Sequence, residues 1–421
     1  MKNYSERALK INERINELSA FTDGEGVTRI FGTQSFLSCS EKIATWMREA
    51  GLQVFIDNIG NVRGRWLSKN PNAKTFVIGS HFDTVMNGGK YEGILGILAG
   101  LDVVENMISE NIALPYHVEL VAFSEDEGIR FNYSYLGSEV VAGTFQNKLL
   151  EIKDQQGQTL SDVLHSLNYD PSQLSADAIA ADQWLGYYEI HIEQGNVLYE
   201  KNIPVGVVTS ISGQKRIEIK FEGKAGHAGT VPMDQRKDAL CAAAKFILAV
   251  EKYALREKGD LLATVGKLNI ESAAGNIIPG TVICTVDIRS DDADTLSEAY
   301  EAINYECENI CDKRHIYFEW KLMQEINPVD CNKKMRKMLS NSIGEKKIEL
   351  VHIESGAAHD AAIISKVAPI AMLFVKCYKN IGETPVENVE LNDIAKALEV
   401  SQSFLLQLAS PSDKLLKKKE K

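Results

Sequence analysis

The sequence predicts an α/β fold in which a mixed sheet carries the chemistry and a smaller α+β domain interrupts it. Three observations point there. Strand-like and helix-like segments alternate up to about residue 210, and they resume from residue 329. Between those runs the order becomes β-α-β-β-α-β, that of a ferredoxin-like domain.

In chain order, EKIATWMREA repeats its apolar residues three and four apart behind Ser40, a candidate N-cap, and stops at Gly51, so it reads as a helix. LQVFID, NVRGRWL and TFVIGSH follow as strands, parted by the turn residues Asn58, Gly60 and Asn61. ILGILAGLDVVENMI is a strongly apolar helix and HVELVAFS a buried strand. Strand, helix, strand in this order calls for a parallel or mixed sheet covered on both faces. RIEIKFEGKAG then alternates as an edge strand, MDQRKDALCAAAKFILAVEKYAL is a long amphipathic helix, and LLATVGKLNI and NIIPGTVICTVDIRS are two strands. TLSEAYEAINYECENICDK and IYFEWKL complete the insertion, which spans 211–328 within an outer domain of 1–210 and 329–421. MRKMLSNSI, PIAMLFVKC and DIAKALEVSQSFLLQLA return to helix, buried strand and closing helix.

Composition removes several classes. The chain has 421 residues, 44% of them hydrophobic and 25% charged, enough for a substantial core. Lys and Arg number 46 against 58 Asp and Glu, for a net charge of −12, and the one basic stretch is the terminal LLKKKEK. No basic face for nucleic acid is expected. The opening residues lack the continuous apolar stretch of a signal peptide, and no run of about 18 apolar residues occurs, so no membrane segment is expected either. Cys39, Cys241, Cys284, Cys307, Cys311, Cys331 and Cys377 are odd in number and lie in largely apolar stretches, as reduced thiols of a cytoplasmic protein do.

The residues suited to chemistry collect at strand ends. His81 closes TFVIGSH, and Asp83 two residues on can accept from an imidazole whose other nitrogen binds a metal. Gly88, Gly89 and Gly93 bracket Glu92 and let its carboxylate approach closely. Glu125, Asp126 and Glu127 end the next apolar strand, and His191 follows YYEI. Any one of these clusters alone is most simply a solvated turn. Four at the carboxyl ends of strands, where open α/β sheets place their sites, together suggest a metal hydrolase.

GSHFDTV, GGKYEG, AFSEDEGIRF, HIEQG, GKAGHAGTVPMDQRKDA, GNIIPGTV with DIRS, and SGAAHDA occur in one order between about residues 20 and 410. This set resembles the amidohydrolase branch of the M20 metallopeptidases, which includes N-carbamoyl-L-amino acid hydrolases, allantoate amidohydrolases and β-ureidopropionases. The resemblance implies a zinc-peptidase-like catalytic domain, an inserted lid domain that forms a homodimer, and one or two divalent metals per subunit, manganese or zinc. Carried over by position, His81 and His191 ligate the first metal, Glu92 stands where the family has a bridging Asp, and Glu127 ligates the second. Asp126 takes the place of the family's general-base Glu. Glu383, in GETPVE, stands where the last ligand is a His.

With Glu92, Glu127 and Glu383 the second metal would see only oxygen, which suits Mn²⁺ or Mg²⁺. The resemblance further gives Gln194, His227, Asn276, Arg289, Gly356 and His359 to the substrate. Arg289 would grip a carboxylate, and His227 would reach the second subunit's site to polarise the scissile carbonyl. The expected activity is hydrolysis of an amide or ureido C–N bond in an N-carbamoyl or N-acyl amino acid, or in allantoate. The alternative is an altered or inactive dimeric homologue that still binds an amino-acid-like ligand.

Overall fold

The computed structural model describes residues 3–257, 259, 261–378 and 384–409. They divide into two compact units, one built from the chain up to Ser210 and from Asp330 onward, the other from Ile211–Val329.

The strands of the outer unit are β1 (Gln53–Ile56), β2 (Val62–Trp66), β3 (Thr75–His81), β4 (His117–Phe123), β5 (Trp184–Ile192) and β6 (Val205–Ile211). The insertion carries β7 (Gly213–Glu222), β8 (Gly226–His227), β9 (Leu262–Ile270), β10 (Ile277–Ile278), β11 (Thr281–Ser290) and β12 (Tyr317–Ile326). After it come β13 (Val329–Asp330), β14 (His352–Ser355) and β15 (Ile370–Val375).

The nine-stranded sheet runs β1-β2-β4-β3-β5-β15-β6-β13, with β14 also pairing β6. β4, β3, β5 and β15 are mutually parallel, while β1, β2 and β6 pair antiparallel, so the sheet is mixed. One face of its parallel centre is largely apolar. Phe76, Ile78, Leu120, Ala122, Ile190, Leu373 and Val375 are buried beneath the helices Ile94–Ser109, Leu391–Leu408 and Tyr4–Ser19. The helix expected behind Ser40 starts earlier, at Gln34, where the Thr33 side chain accepts the Phe36 amide. Phe36, Cys39, Ile43 and Met47 continue one apolar stripe through Ser40, which is buried inside the helix. Gly51, just beyond its end, has φ +88°.

Arg63 on β2 is fully buried. Its Nε lies 2.5 Å from Glu119 and its Nη1 3.5 Å from Asp57, and it also donates to the carbonyl of Asp177. Removing one partner of a buried ion network leaves the others desolvated and uncompensated. Arg63→Ala is therefore expected to lower the unfolding free energy by about 3–5 kcal/mol in urea titrations.

In the insertion, the four-stranded sheet has the order β12-β7-β11-β9, every pair antiparallel. Numbered by chain order that is 4-1-3-2, the ferredoxin-like arrangement. One face buries Ile217, Ile219, Phe221, Val282, Cys284, Val286 and Ile288 against Ala242, Phe246, Leu296, Ala299 and Ile303 of the helices Ala239–Arg256 and Ala293–Arg314. Asp238 and Asp292 cap these helices by accepting the Cys241 and Thr295 amides. No described helix is long and apolar enough to cross a membrane. All seven cysteines are free, and all but Cys241 are buried.

Candidate metal centre

Parallel β3, β4 and β5 deliver their carboxyl ends to one place. His81 is the last residue of β3, His191 lies one residue before the end of β5, and the turn Ser124–Glu127 leaves β4. His81 Nδ1 lies 3.1 Å from the backbone carbonyl of Asp83, and His191 Nδ1 lies 3.0 Å from that of Ile192. A carbonyl only accepts, so each Nδ1 carries the proton and each Nε2 presents a lone pair. The two Nε2 atoms face one another across 3.5 Å. Glu92 Oε1 completes the triangle, 3.7 Å from His81 Nε2 and 3.4 Å from His191 Nε2.

Three buried donor atoms thus converge within 4.8 Å of one another. Two lone pairs and a carboxylate in mutual contact repel unless a cation or a proton sits among them. Glu92 Oε2 and Asp126 Oδ1 are also buried without a hydrogen-bond partner. The donor set fits a divalent cation.

The turn after β4 is held in a demanding shape. Glu125 has φ +50°, and the Asp83 carboxylate receives the backbone N–H groups of Asp126 (3.1 Å) and Glu127 (3.0 Å). The Asp83 carboxylate is therefore used mainly to shape this turn. It stands 3.6 Å from His81 Nδ1, farther than the Asp83 carbonyl. Asp126 Oδ2 ends 3.9 Å from His81 Nε2. Gly93 closes the other side at φ +63°, where a side chain would meet the His81 carbonyl and ring at 2.4–2.7 Å.

Burial opposes a charge on His81, but the Asp126 carboxylate and the nearby Asp83 and Glu92 outweigh it and carry the His81 pKa well above its usual value. Burial also drives the Asp126 carboxyl well upward, against the pull of His81 and with the push of Asp83 and Glu127. This environment favours a proton on the metal-free His81 ring, and that proton must leave before Nε2 can bind a cation. Metal affinity is thus expected to weaken as pH is lowered, with proton release on binding. Calorimetry in buffers of different ionisation enthalpy measures both.

The remaining expected residues fall into place unevenly. The Gln194 side-chain amide donates to Glu92 Oε1 at 2.9 Å, so it steadies that carboxylate. His359 packs against His191 with ring centroids 4.6 Å apart, and its Nε2 lies 2.9 Å from Ser355 Oγ. Gly356 leaves open space where a side chain would stand. Among the described residues, the Glu127 carboxylate joins no donor group of this closeness, and Glu383 lies outside the described residues.

In the inserted unit, His227 and Asn276 meet across the β8–β10 pair, where Ala228 N donates to Asn276 O at 2.9 Å. Gly229 N donates to His227 Nδ1 at 3.0 Å, which puts the His227 proton on exposed Nε2 as a donor for an oxygen. Arg289 is aligned by Asp287, with Nε 2.9 Å from Oδ1 and Nη2 3.3 Å from Oδ2, and Arg216 Nε lies 3.2 Å from the same carboxylate. Burial raises the Asp287 pKa, but the bond and charge of Arg289, with Arg216, hold it below the usual range.

Sequence reasoning passed over two buried acids. Glu189 lies two residues before His191 on the same face of β5, and its Oε2 accepts from Tyr187 Oη and Ala361 N, both at 3.0 Å. Glu189, His191 and His359 form a second group of close donors. His191 belongs to both groups, so the two share one imidazole. The strand period of two was the signal for Glu189. Glu387 gave no such signal, because its contacts lie almost 300 residues away.

A mixed α/β sheet with two imidazoles and a carboxylate converging at parallel strand ends defines a protein of the metallohydrolase type. The profile of Peptidase family M20/M25/M40 matches residues 77–407, and the chain belongs to that family. It is 35% identical over 384 residues to an N-carbamoyl-L-amino acid amidohydrolase of Geobacillus stearothermophilus, covering 91% of this chain and 94% of the relative. Allantoate deiminase 1 of Glycine max is 34% identical over 94% of this chain and 88% of its own. Among solved structures, AtUAH in complex with glyoxylate superposes with a TM-score of 0.91 at 30% identity, over 97% of this chain and all of that one. A hydantoinase/carbamoylase-family amidase from Burkholderia vietnamiensis gives 0.90 at 29%, over 96% and 98% of the two chains.

Proposed function

We propose that the protein is a divalent-metal-dependent hydrolase of amide or ureido C–N bonds in small carboxylates, N-carbamoyl or N-acyl amino acids or allantoate. The observation that carries this is the convergence of His81 Nε2, His191 Nε2 and Glu92 Oε1, with both imidazole protons committed elsewhere. The relatives named for N-carbamoyl amino acids and for allantoate supply the substrate class.

His81, Glu92 and His191 would hold the cation, manganese or zinc, with Glu127 and Glu383 assigned to a second by resemblance alone. A cation there supplies Lewis-acid polarisation of a carbonyl and eases deprotonation of water. Asp126 takes the proton from the attacking water and passes it to the leaving amine. Its buried carboxyl, raised in pKa, suits both halves of that task. By resemblance alone, His227 is assigned to the scissile carbonyl oxygen in the partner subunit's site and Asn276 and Arg289 to the substrate carboxylate; within the inserted unit, Asp287 keeps Arg289 in its fork geometry. Gly356 and His359 are assigned to the pocket wall. Metal analysis after Mn²⁺ loading, with ammonia release measured on N-carbamoyl amino acids and allantoate, tests this reading. Mn²⁺-dependent turnover of one class is expected; ligand binding with neither metal nor turnover would overturn it in favour of a binding homologue.

The inserted unit is assigned to a homodimer contact. Among the described residues β9 is an edge strand, pairing only β11 and bearing exposed Leu262 and Leu268, and Leu248 and Leu255 stand exposed on the helix Ala239–Arg256. Leu255→Glu with Leu268→Glu is expected to convert a dimer to a monomer in light scattering. The free thiols fit a reducing compartment such as the cytoplasm.

A further inference from the structure

We infer that Glu387 positions Glu92 in the metal seat; this rests on the reading of His81, Glu92 and His191 as that seat. Glu387 is 3% exposed, and its Oε1 accepts two consecutive backbone N–H groups, from Tyr91 at 2.6 Å and Glu92 at 3.0 Å. One carboxylate oxygen thereby fixes the orientation of both peptide groups just ahead of the Glu92 side chain. The Glu92 carbonyl is fixed in turn by Ile94 N at 2.6 Å.

Glu387 enters the loop through a gap that only glycine leaves. A side chain at Gly89 would put its Cβ 2.2 Å from Glu387 Oε2. Tyr91 Oη strengthens the same junction, donating to Asn12 at 2.9 Å and lying 3.5 Å from Asn388.

The loop between β3 and the helix Ile94–Ser109 is therefore set by a residue from beyond β15. The Glu92 side chain is pinned at both ends, at its amide by Glu387 and at its carboxylate by Gln194 (2.9 Å). Its Oε1 is held there within 3.7 Å of both imidazoles. Glu387 has no place among the donor groups, so its effect runs through Glu92.

The test is Mn²⁺ affinity of the intact protein by titration calorimetry, with thermal melting as the control for folding. Glu92→Ala is expected to lose binding. Glu387→Ala is expected to weaken it by about 10- to 100-fold, the usual effect of removing a group that orients a ligand. Glu387→Gln keeps an acceptor oxygen at the same reach and should bind within about threefold of wild type. Gly89→Ala places a methyl where Glu387 stands and should reproduce the loss, which keeps the test open if Glu387→Ala does not fold. Wild-type affinity in folded Glu387→Ala or Gly89→Ala, with binding lost in Glu92→Ala, would overturn the positioning role and leave the seat standing. Wild-type affinity in Glu92→Ala would overturn the seat itself.

Discussion

His191→Ala is expected to remove both metal binding and activity from an otherwise folded protein. The argument starts at one imidazole. His191 Nδ1 is held by the Ile192 carbonyl and Nε2 faces His81 and Glu92, and the same imidazole also belongs to the group with Glu189 and His359. No relocation of the cation between these groups can bypass its loss. Affinity should therefore fall by more than the roughly 10- to 100-fold that follows loss of a ligand's hydrogen-bond partner. His191 is fully buried, so truncation also opens a cavity and is expected to lower stability. Metal analysis and melting curves measure the two effects separately. Retention of stoichiometric metal in His191→Ala would refute the proposed centre.

Asp126→Asn should separate binding from chemistry. The amide fills the same volume and keeps the backbone N–H on Asp83, but it cannot accept a proton from water. General acid–base groups contribute about 10²- to 10⁴-fold, so kcat should fall by that factor with KM nearly unchanged. Asp126 also contributes to the raised His81 pKa, and its neutralisation lowers the charge stabilising imidazolium. The proton released on metal binding should then titrate at lower pH than in the wild type. A variant with wild-type kcat would remove Asp126 from the reaction.

Periodicity made much of this architecture readable. The apolar period of TFVIGSH and HVELVAFS marks β3 and β4, and the β-α-β-β-α-β order of the insertion matches its observed sheet. His81 and His191 could be singled out because each lies at or next to the end of a strand-like segment. The helix around Ser40 was misjudged at its start, because a good capping residue competed with an apolar stripe that continued past it, and burial decided. Asp83 was expected as an acceptor beside His81; its carbonyl lies 3.1 Å and its carboxylate 3.6 Å from Nδ1, and the carboxylate also accepts the amides of the turn after β4, which no sequence period announced. Glu387 served the sequence reading only as a point on which GETPVE aligns, with no role of its own. Hydrogen bonds to distant main-chain amides have no sequence period, so their partners become apparent only once the chain is folded.

The insertion leaves and rejoins the large sheet through adjoining strands. β6 precedes it, β13 follows it, and Cys331 N donates to Thr209 O at 2.9 Å across the junction. A seam this narrow resembles a socket. A linker of a few residues from Ser210 to Asp330 would span it, and a foreign domain with adjacent termini could be plugged in without re-registering the strands around His191.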